Sequence, residues 1–201
     1  MLLIFKQISI LLLKLLGWRL ELELPKEKKY VVIGAPHTSN WDFPLTLLTL
    51  SASGLRFSWV AKHTMFKGIS GSFFRAIGGI PVNRKSSHGF IDQMVAAFND
   101  RDRLILTIAP EGTRSWKNHW KTGFYHIARR ANVPVCMGFM DYPSKTIGLN
   151  KTFMPSGNIS DDFEIIKDYY KGKTGRRPQQ QSTITFRERK ILHKQEEEET
   201  K

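Results

Sequence analysis

Short apolar, β-branched runs alternate along this chain with stretches of helical period. That alternation constrains the fold more than any other feature, because it calls for a largely parallel sheet covered by helices on both faces. Lys29 to Ala35 (KYVVIGA) reads as a buried strand that stops just before His37. Further strands are predicted at Arg56 to Ala61, Ile80 to Asn83, Leu104 to Ala109 and Val133 to Phe139, with a weaker one at Lys145 to Phe153. A helix is expected from near Asn40, and Phe90, Ile91, Met94, Val95 and Phe98 recur at helical spacing behind caps at Ser86 or Ser87. Phe124, Ile127 and Ala128 repeat that spacing. A last helix is expected over Ser160 to Tyr170, capped by Ser160, with Asp161 and Asp162 in a first turn that favours carboxylates. The predicted class is α/β, a central, largely parallel mixed sheet flanked by helices, with functional loops at the carboxyl ends of its strands.

With 201 residues the chain has room for one domain, expected over 21–180. Residues 1–20 are expected to form an amphipathic helix at a membrane interface. Met1 to Trp18 (MLLIFKQISILLLKLLGW) is apolar except for Lys6, Gln7, Ser9 and Lys14. It is too short and too interrupted to cross a bilayer, which takes about 20 mainly apolar residues. On a helical wheel Lys6, Gln7 and Lys14 gather to one side, with Trp18 and Arg19 as boundary anchors. A signal peptide is the rival reading, opposed by Lys14 and by the lack of a small-x-small site before Glu21, and a core-packing helix is the bland one. Residues 181–201, which include the acidic block Glu196 to Glu199, are expected to be a charged mobile tail.

A net charge of +13 points to anionic partners: a membrane surface with anionic lipids, phosphorylated substrates or nucleic acid. The Lys and Arg are scattered, without the stacking aromatics or reading motif of a nucleic-acid binder, so no specific nucleic-acid partner is expected. Cys136 is the only cysteine, which excludes an intramolecular disulfide, and its apolar neighbours make it a small buried hydrophobe rather than a nucleophile. No Cys/His cluster has zinc-ligand spacing, and no metal or cofactor is expected.

Three clusters carry possible chemistry. Pro36-His37-Thr38-Ser39-Asn40-Trp41-Asp42 puts an imidazole at the end of a strand and a carboxylate in the first turn of the next helix. An Asp that accepts the proton of one imidazole nitrogen frees the other to act as a base, but Ser39-x-x-Asp42 is equally a helix-capping pattern. Ala109-Pro-Glu-Gly-Thr-Arg-Ser115 follows a strand and suits a phosphate, with Gly112 allowing close backbone approach, hydroxyls at Thr113 and Ser115, and the guanidinium fork of Arg114. Glu111 is an awkward neighbour for a phosphate unless it pairs or orients, and a plain polar turn is the alternative. Gly78-Gly-Ile-Pro-Val-Asn-Arg84 delivers Arg84 at a strand end, as a second fork or as an exposed arginine at a turn.

Taken together these segments resemble the glycerolipid acyltransferase superfamily, which includes bacterial lysophosphatidic acid (1-acyl-sn-glycerol-3-phosphate) acyltransferase. The resemblance runs from about Lys29 to Gly138 and rests on His37 with four residues before Asp42, on Gly79-Ile-Pro-Val-Asn-Arg84, on Pro110-Glu-Gly-Thr-Arg-Ser115 and on Val133-Pro-Val135. It implies that His37 is a general base oriented by Asp42, and that Arg84, Glu111, Gly112, Thr113 and Arg114 hold the acceptor. It implies no covalent acyl-enzyme, a donor that is acyl-CoA or acyl-carrier protein, and a place on the cytoplasmic face of a membrane, peripheral or monotopic. The chain departs from the family pattern at Ala109, usually a bulky aromatic, and at Met137 and Gly138, usually a second Pro-Val pair, departures that bear on substrate identity. A lyso-ornithine lipid or a lysophospholipid is thus an alternative to the lysophosphatidate-like acceptor, and a non-catalytic basic membrane-binding protein is the reading from another class.

Overall fold

The computed structural model describes residues 2–82 and 87–187. Arg84, Ser86 and the segment from 188 onward, with its acidic block, lie outside the described residues. The strands are β1 (Arg19–Leu22), β2 (Lys29–Ala35), β3 (Ser58–Lys62), β4 (Gly79–Val82), β5 (Leu104–Ile108), β6 (Val135–Asp141) and β7 (Thr146–Phe153). They form one sheet in the order β1-β7-β6-β2-β5-β3-β4. Every pairing is parallel except β6 with β7, so the largely parallel mixed sheet expected from the sequence is the one observed.

The helices are α1 (Leu2–Leu15), α2 (Asp42–Ala52), α3 (Gly68–Ala76), α4 (Ser87–Asn99), α5 (Gly123–Arg130) and α6 (Ile159–Tyr170). Successive side chains of a strand point to opposite faces, and β2 shows it. Val31, Ile33 and Ala35 join a core built with Met94, Phe98, Phe124, Ile127, Phe163 and Ile166 from α4, α5 and α6. Tyr30 and Val32 face the other way, toward Leu50 of α2. Burial on both faces explains why these strands read as continuous apolar runs. Tyr170, fully buried in α6, reaches the carbonyls of Gly138 (2.8 Å) and Ile33 (3.2 Å) and so ties α6 to β6 and β2 just below the strand ends where the site is built.

Several expectations need correction. The helix expected from Asn40 begins at Asp42. The last helix is capped by Asn158, whose side chain accepts from the Ser160 N–H at 3.1 Å, rather than by Ser160. Neither β1 nor α3 was foreseen: RLEL is too short to announce a strand, and its pairing partner β7 lies more than 120 residues away. Residues 181–187 are no mobile tail. Ser182 is buried, Phe186 packs on Phe163 with ring centroids 4.8 Å apart, and the Trp120 N–H donates to the Thr185 carbonyl at 2.7 Å. Two apolar side chains, Ile184 and Phe186, suffice to fasten a segment whose overall composition is polar.

The N-terminal helix ends at Leu15 and packs through Leu13, which is buried, and Ile10 against Leu45, Ala52, Met140 and Ile147. Lys6 lies alongside Gly54 on this inner side, while Gln7 and Lys14 are exposed. The single polar side expected from the wheel is therefore divided. The outward face is apolar, with Ile4, Phe5, Ile8, Leu11, Leu12, Leu15 and Leu16 all exposed. Among the described residues no helix is long and apolar enough to cross a membrane.

Gly148 sits where β1 meets β7, and a Cβ there would fall 2.2 Å from the Glu21 carbonyl oxygen. Backbone occupies that space, so Gly148→Ala is expected to lose about 2 kcal/mol of stability, the usual cost of overpacking. Urea unfolding checks this, and hydrogen exchange should accelerate first at Arg19–Leu22.

Candidate active site

β2 ends at Ala35, and the chain turns through residues 36–41 into α2. What shapes that turn is Asp42, whose side chain has no solvent exposure. Its Oδ2 accepts from the N–H groups of Thr38 (2.7 Å) and Ser39 (2.8 Å), and its Oδ1 accepts from the Tyr142 hydroxyl at 2.7 Å. His37 Nδ1 lies 3.4 Å from Oδ2. The bonds from Thr38 and Ser39 shape the turn that leads into α2, although Asp42 is the first residue of the helix and Trp41 its cap, so the expected capping box is not formed. A separation of 3.4 Å is longer than a formed hydrogen bond, as catalytic pairs often are before substrate tightens them. Burial pushes the Asp42 carboxyl up, but the donors from His37, Tyr142 and the Ser39 N–H outweigh it and hold the group below the ordinary carboxylate range.

Glu111 occupies the facing loop, after β5, and is also buried. It was expected to hold the acceptor, and its placement corrects that. Its Oε1 accepts a short bond from the His37 N–H and its Oε2 accepts from the Ser182 N–H at 3.1 Å, so the carboxylate faces protein backbone instead of the cleft. Burial raises its carboxyl above the ordinary range, and the bonds from His37 and Ser182 offset only part of that rise. Glu111 thus fixes the backbone at His37.

The cleft itself holds about 680 Å³ and is lined on one side by His37, Asn40, Gly112, Thr113, Arg114 and Ser115. Its other wall is apolar, made by Phe43, Leu47, Leu50, Phe57, Trp59 and Met65. Gly112 adopts φ +66°, the left-handed region, and a Cβ there would collide with the Lys121 side chain, so the loop needs glycine. Of the residues singled out in the sequence, His37, Asp42, Glu111, Gly112, Thr113 and Arg114 converge on this place, and Arg84 lies outside the described residues. Cys136 is buried in the sheet with its thiol pushed up to about 11 by burial, which suits a packing residue.

Two contributors were not anticipated. Tyr142 follows β6, and its ring packs edge-on against Trp18 at 5.1 Å while its hydroxyl holds Asp42. The other is the segment after α6, which straps the loops after β2 and β5 together. Arg177 N–H donates to Thr38 Oγ1 at 3.1 Å, and the Gln180 amide, turned so that its nitrogen faces these acceptors, donates to the carbonyls of Thr38 (2.9 Å) and Arg114 (3.0 Å). Only its Gly-Pro-Gln and basic composition was visible in the sequence, and composition carries no information about these contacts.

Parallel strands, a buried acid behind a histidine and a half-apolar cleft at the strand ends define a class, and comparison bears it out: residues 19–138 match the acyltransferase family, and the chain belongs to that family. It is 24% identical over 148 residues to the 1-acyl-sn-glycerol-3-phosphate acyltransferase of Haemophilus influenzae, covering 68% of this chain and 60% of that protein. It is 38% identical over 72 residues to the Escherichia coli enzyme of the same description, covering 34% of this chain and 29% of that one. The matches thus span less than two thirds of these curated relatives. The fold is similar to the crystal structure of the 1-acyl-sn-glycerophosphate acyltransferase PlsC from Thermotoga maritima, with a TM-score of 0.55, 18% identity, and 85% of this chain and 75% of that chain covered.

Tyr142→Phe deletes one of the donors that hold the Asp42 charge. The variant is expected to lose about 1.5–3 kcal/mol at pH 7, the worth of a hydrogen bond to a charged group. Because the folded pKa of Asp42 is depressed below 3.8, this contribution is present above that value and disappears as pH falls through the folded pKa. Urea unfolding of the two proteins should therefore differ at pH 7 and converge in strong acid.

Proposed function

We propose that the protein transfers a fatty acyl group from a thioester, acyl-CoA or acyl-carrier protein, to the free hydroxyl of a lysophosphatidate-like lipid at a membrane surface. The observation that carries this reading is His37 at the mouth of a half-apolar cleft with the buried Asp42 carboxylate 3.4 Å behind its Nδ1. The carboxylate accepts a hydrogen bond from Nδ1–H, which keeps the proton on Nδ1 and leaves Nε2 unprotonated and able to take the proton of the acceptor hydroxyl. That oxygen attacks the thioester carbonyl carbon, a tetrahedral intermediate forms and the carbon–sulfur bond breaks. The imidazolium, stabilised by Asp42, returns its proton to the departing thiolate. No acyl-enzyme is required, and Ser39 and Ser115 have no part as nucleophiles.

In this reading the apolar wall of Phe43, Leu47, Leu50, Phe57 and Trp59 receives an acyl chain, while Gly112, Thr113 and Arg114, with Arg84, hold the acceptor phosphate. Glu111 acts one step removed, by fixing the His37 backbone. The exposed apolar face of α1 is the part of the protein that enters the lipid interface, and the basic surface adds attraction to anionic head groups of about 1 kcal/mol per nearby Lys or Arg.

His37→Ala is expected to reduce kcat by roughly 10²–10⁴-fold, the range for losing a general base, with the fold unchanged by circular dichroism. Transfer of labelled acyl groups to lysophosphatidate measures it, and undiminished turnover in the variant would overturn the reading. Arg114→Lys is expected to raise the KM for lysophosphatidate by about tenfold through loss of the bidentate fork. An unchanged KM would point to an acceptor without phosphate, such as a lyso-ornithine lipid.

The double variant Leu11→Glu and Leu15→Glu should bind vesicles of phosphatidylethanolamine and phosphatidylglycerol at least about tenfold more weakly, because burying two leucines is worth several kcal/mol. Co-sedimentation reads that loss.

A further inference from the structure

Along the loop 38–41 and adjoining the cleft lies a second, polar pocket of about 380 Å³. Three arginines line it, all exposed, Arg114 from the loop after β5 and Arg176 and Arg177 from the strap that follows α6. Asn40, Ser115 and Gln180 complete its rim, and no carboxylate lines it. Among the described residues none of the three arginines has an ion-pair partner. Arg176 lies over the face of Trp41, 5.7 Å from the ring centroid, an arrangement that orients the guanidinium and leaves its N–H edge available.

The pocket is built on fixed backbone. Gly175 is pressed so closely against the catalytic loop that a Cβ would come within 2.7 Å of Thr38 Oγ1. The Arg177 N–H and the Gln180 amide are bonded to Thr38, and Gln180 also to the Arg114 carbonyl. Three arginines on one small pocket, without an ion-pair partner among the described residues, are suited to phosphate oxygens.

The pocket shares Asn40, Arg114 and Ser115 with the catalytic cleft, but His37 does not line it. That separates the two phosphates in the reaction. In a 1-acyl-glycerol 3-phosphate the reacting hydroxyl and the phosphate are on adjacent carbons, so a phosphate whose hydroxyl touches His37 stays in the lobe of His37. In an acyl thioester of CoA or carrier protein, the long pantetheine arm separates the thioester from the first phosphate and can pass from the cleft to the adjoining pocket. We propose that the pocket of Arg114, Arg176 and Arg177 binds the phosphate at the far end of the donor's pantetheine arm. This rests on the reading above that the donor is such a thioester. Acceptor and donor phosphates then occupy adjoining pockets, and Arg114, which lines both, stands at their junction.

The test is the full-length double variant R176Q/R177Q beside wild type. Expected are a rise of about tenfold or more in the KM for the donor, with kcat and the KM for lysophosphatidate within about twofold, and partial recovery in R176K/R177K, which keeps the charge. Running acyl-CoA and acyl-carrier protein separately identifies the carrier: a rise with either supports the proposal, and a rise with one alone names the source. A rise confined to lysophosphatidate would assign the pocket to the acceptor, and no change in either KM would leave it without a substrate; either result overturns the proposal. Turnover is not needed for the second arm, calorimetric binding of 4′-phosphopantetheine and of pantetheine. Wild type should prefer the phosphorylated form by about tenfold and the double variant should not discriminate. Equal binding of the two probes by wild type would sink the proposal even in an active enzyme. A wild type that transfers no acyl group yet discriminates between them would sink the acyltransferase reading alone.

Discussion

A single buried carboxylate organises this protein's site. An ionised acid removed from water is costly unless donors surround it, and Asp42 is fully enclosed. Two backbone N–H groups, a tyrosine hydroxyl and an imidazole answer that demand. Satisfying it fixes the path of residues 37–42, the start of α2, the placement of Tyr142 and the direction in which His37 presents its free nitrogen. The same contacts that stabilise the charge thus orient His37, so local folding and the geometry of the proposed base share one origin.

A second acid, Glu111, carries the arrangement outward. Its partners are the His37 N–H and the Ser182 N–H, which join the loops after β2 and β5 to the strap beyond α6. The two acids differ in how well they are compensated. Asp42 gains enough donors to sit below the ordinary carboxylate range, whereas Glu111 gains fewer and is raised by burial. With Gln180 bridging Thr38 and Arg114, three segments distant in the chain become one rigid rim around the cleft. Preorganisation of this kind spares the catalytic groups from being ordered at the moment of reaction.

Two parts of the molecule divide the proposed work. An outward apolar strip on α1 suits the lipid interface, and the helix is fastened by Leu13 and by Trp18, whose ring contacts Tyr142. The interfacial segment and the acid behind the base are thereby joined through one aromatic contact and one hydrogen bond. The pocket proposed for the donor phosphate lies instead between the loop 38–41 and the strap, lined by Arg114, Arg176 and Arg177.

Much was legible in the sequence because it depends on local order. Strands β2, β5 and β6 showed themselves as apolar runs, since a parallel strand buried on both faces has no room for polar residues, while α4 and α5 showed themselves by helical spacing and α6 by its acidic first turn. His37, Asp42 and the stretch from Glu111 to Arg114 stood out because their chemistry requires those residue types at short, fixed intervals. Tertiary structure alone decided that Glu111 serves the backbone of His37, that Tyr142 holds Asp42 from 100 residues away, that RLEL becomes an edge strand, and that the strap after α6 brings Arg176 and Arg177 beside Arg114. The physical reason is the same in each case. A buried charge or an open sheet edge takes whichever donor the completed fold brings within reach, and nothing in the neighbouring sequence records which one that will be.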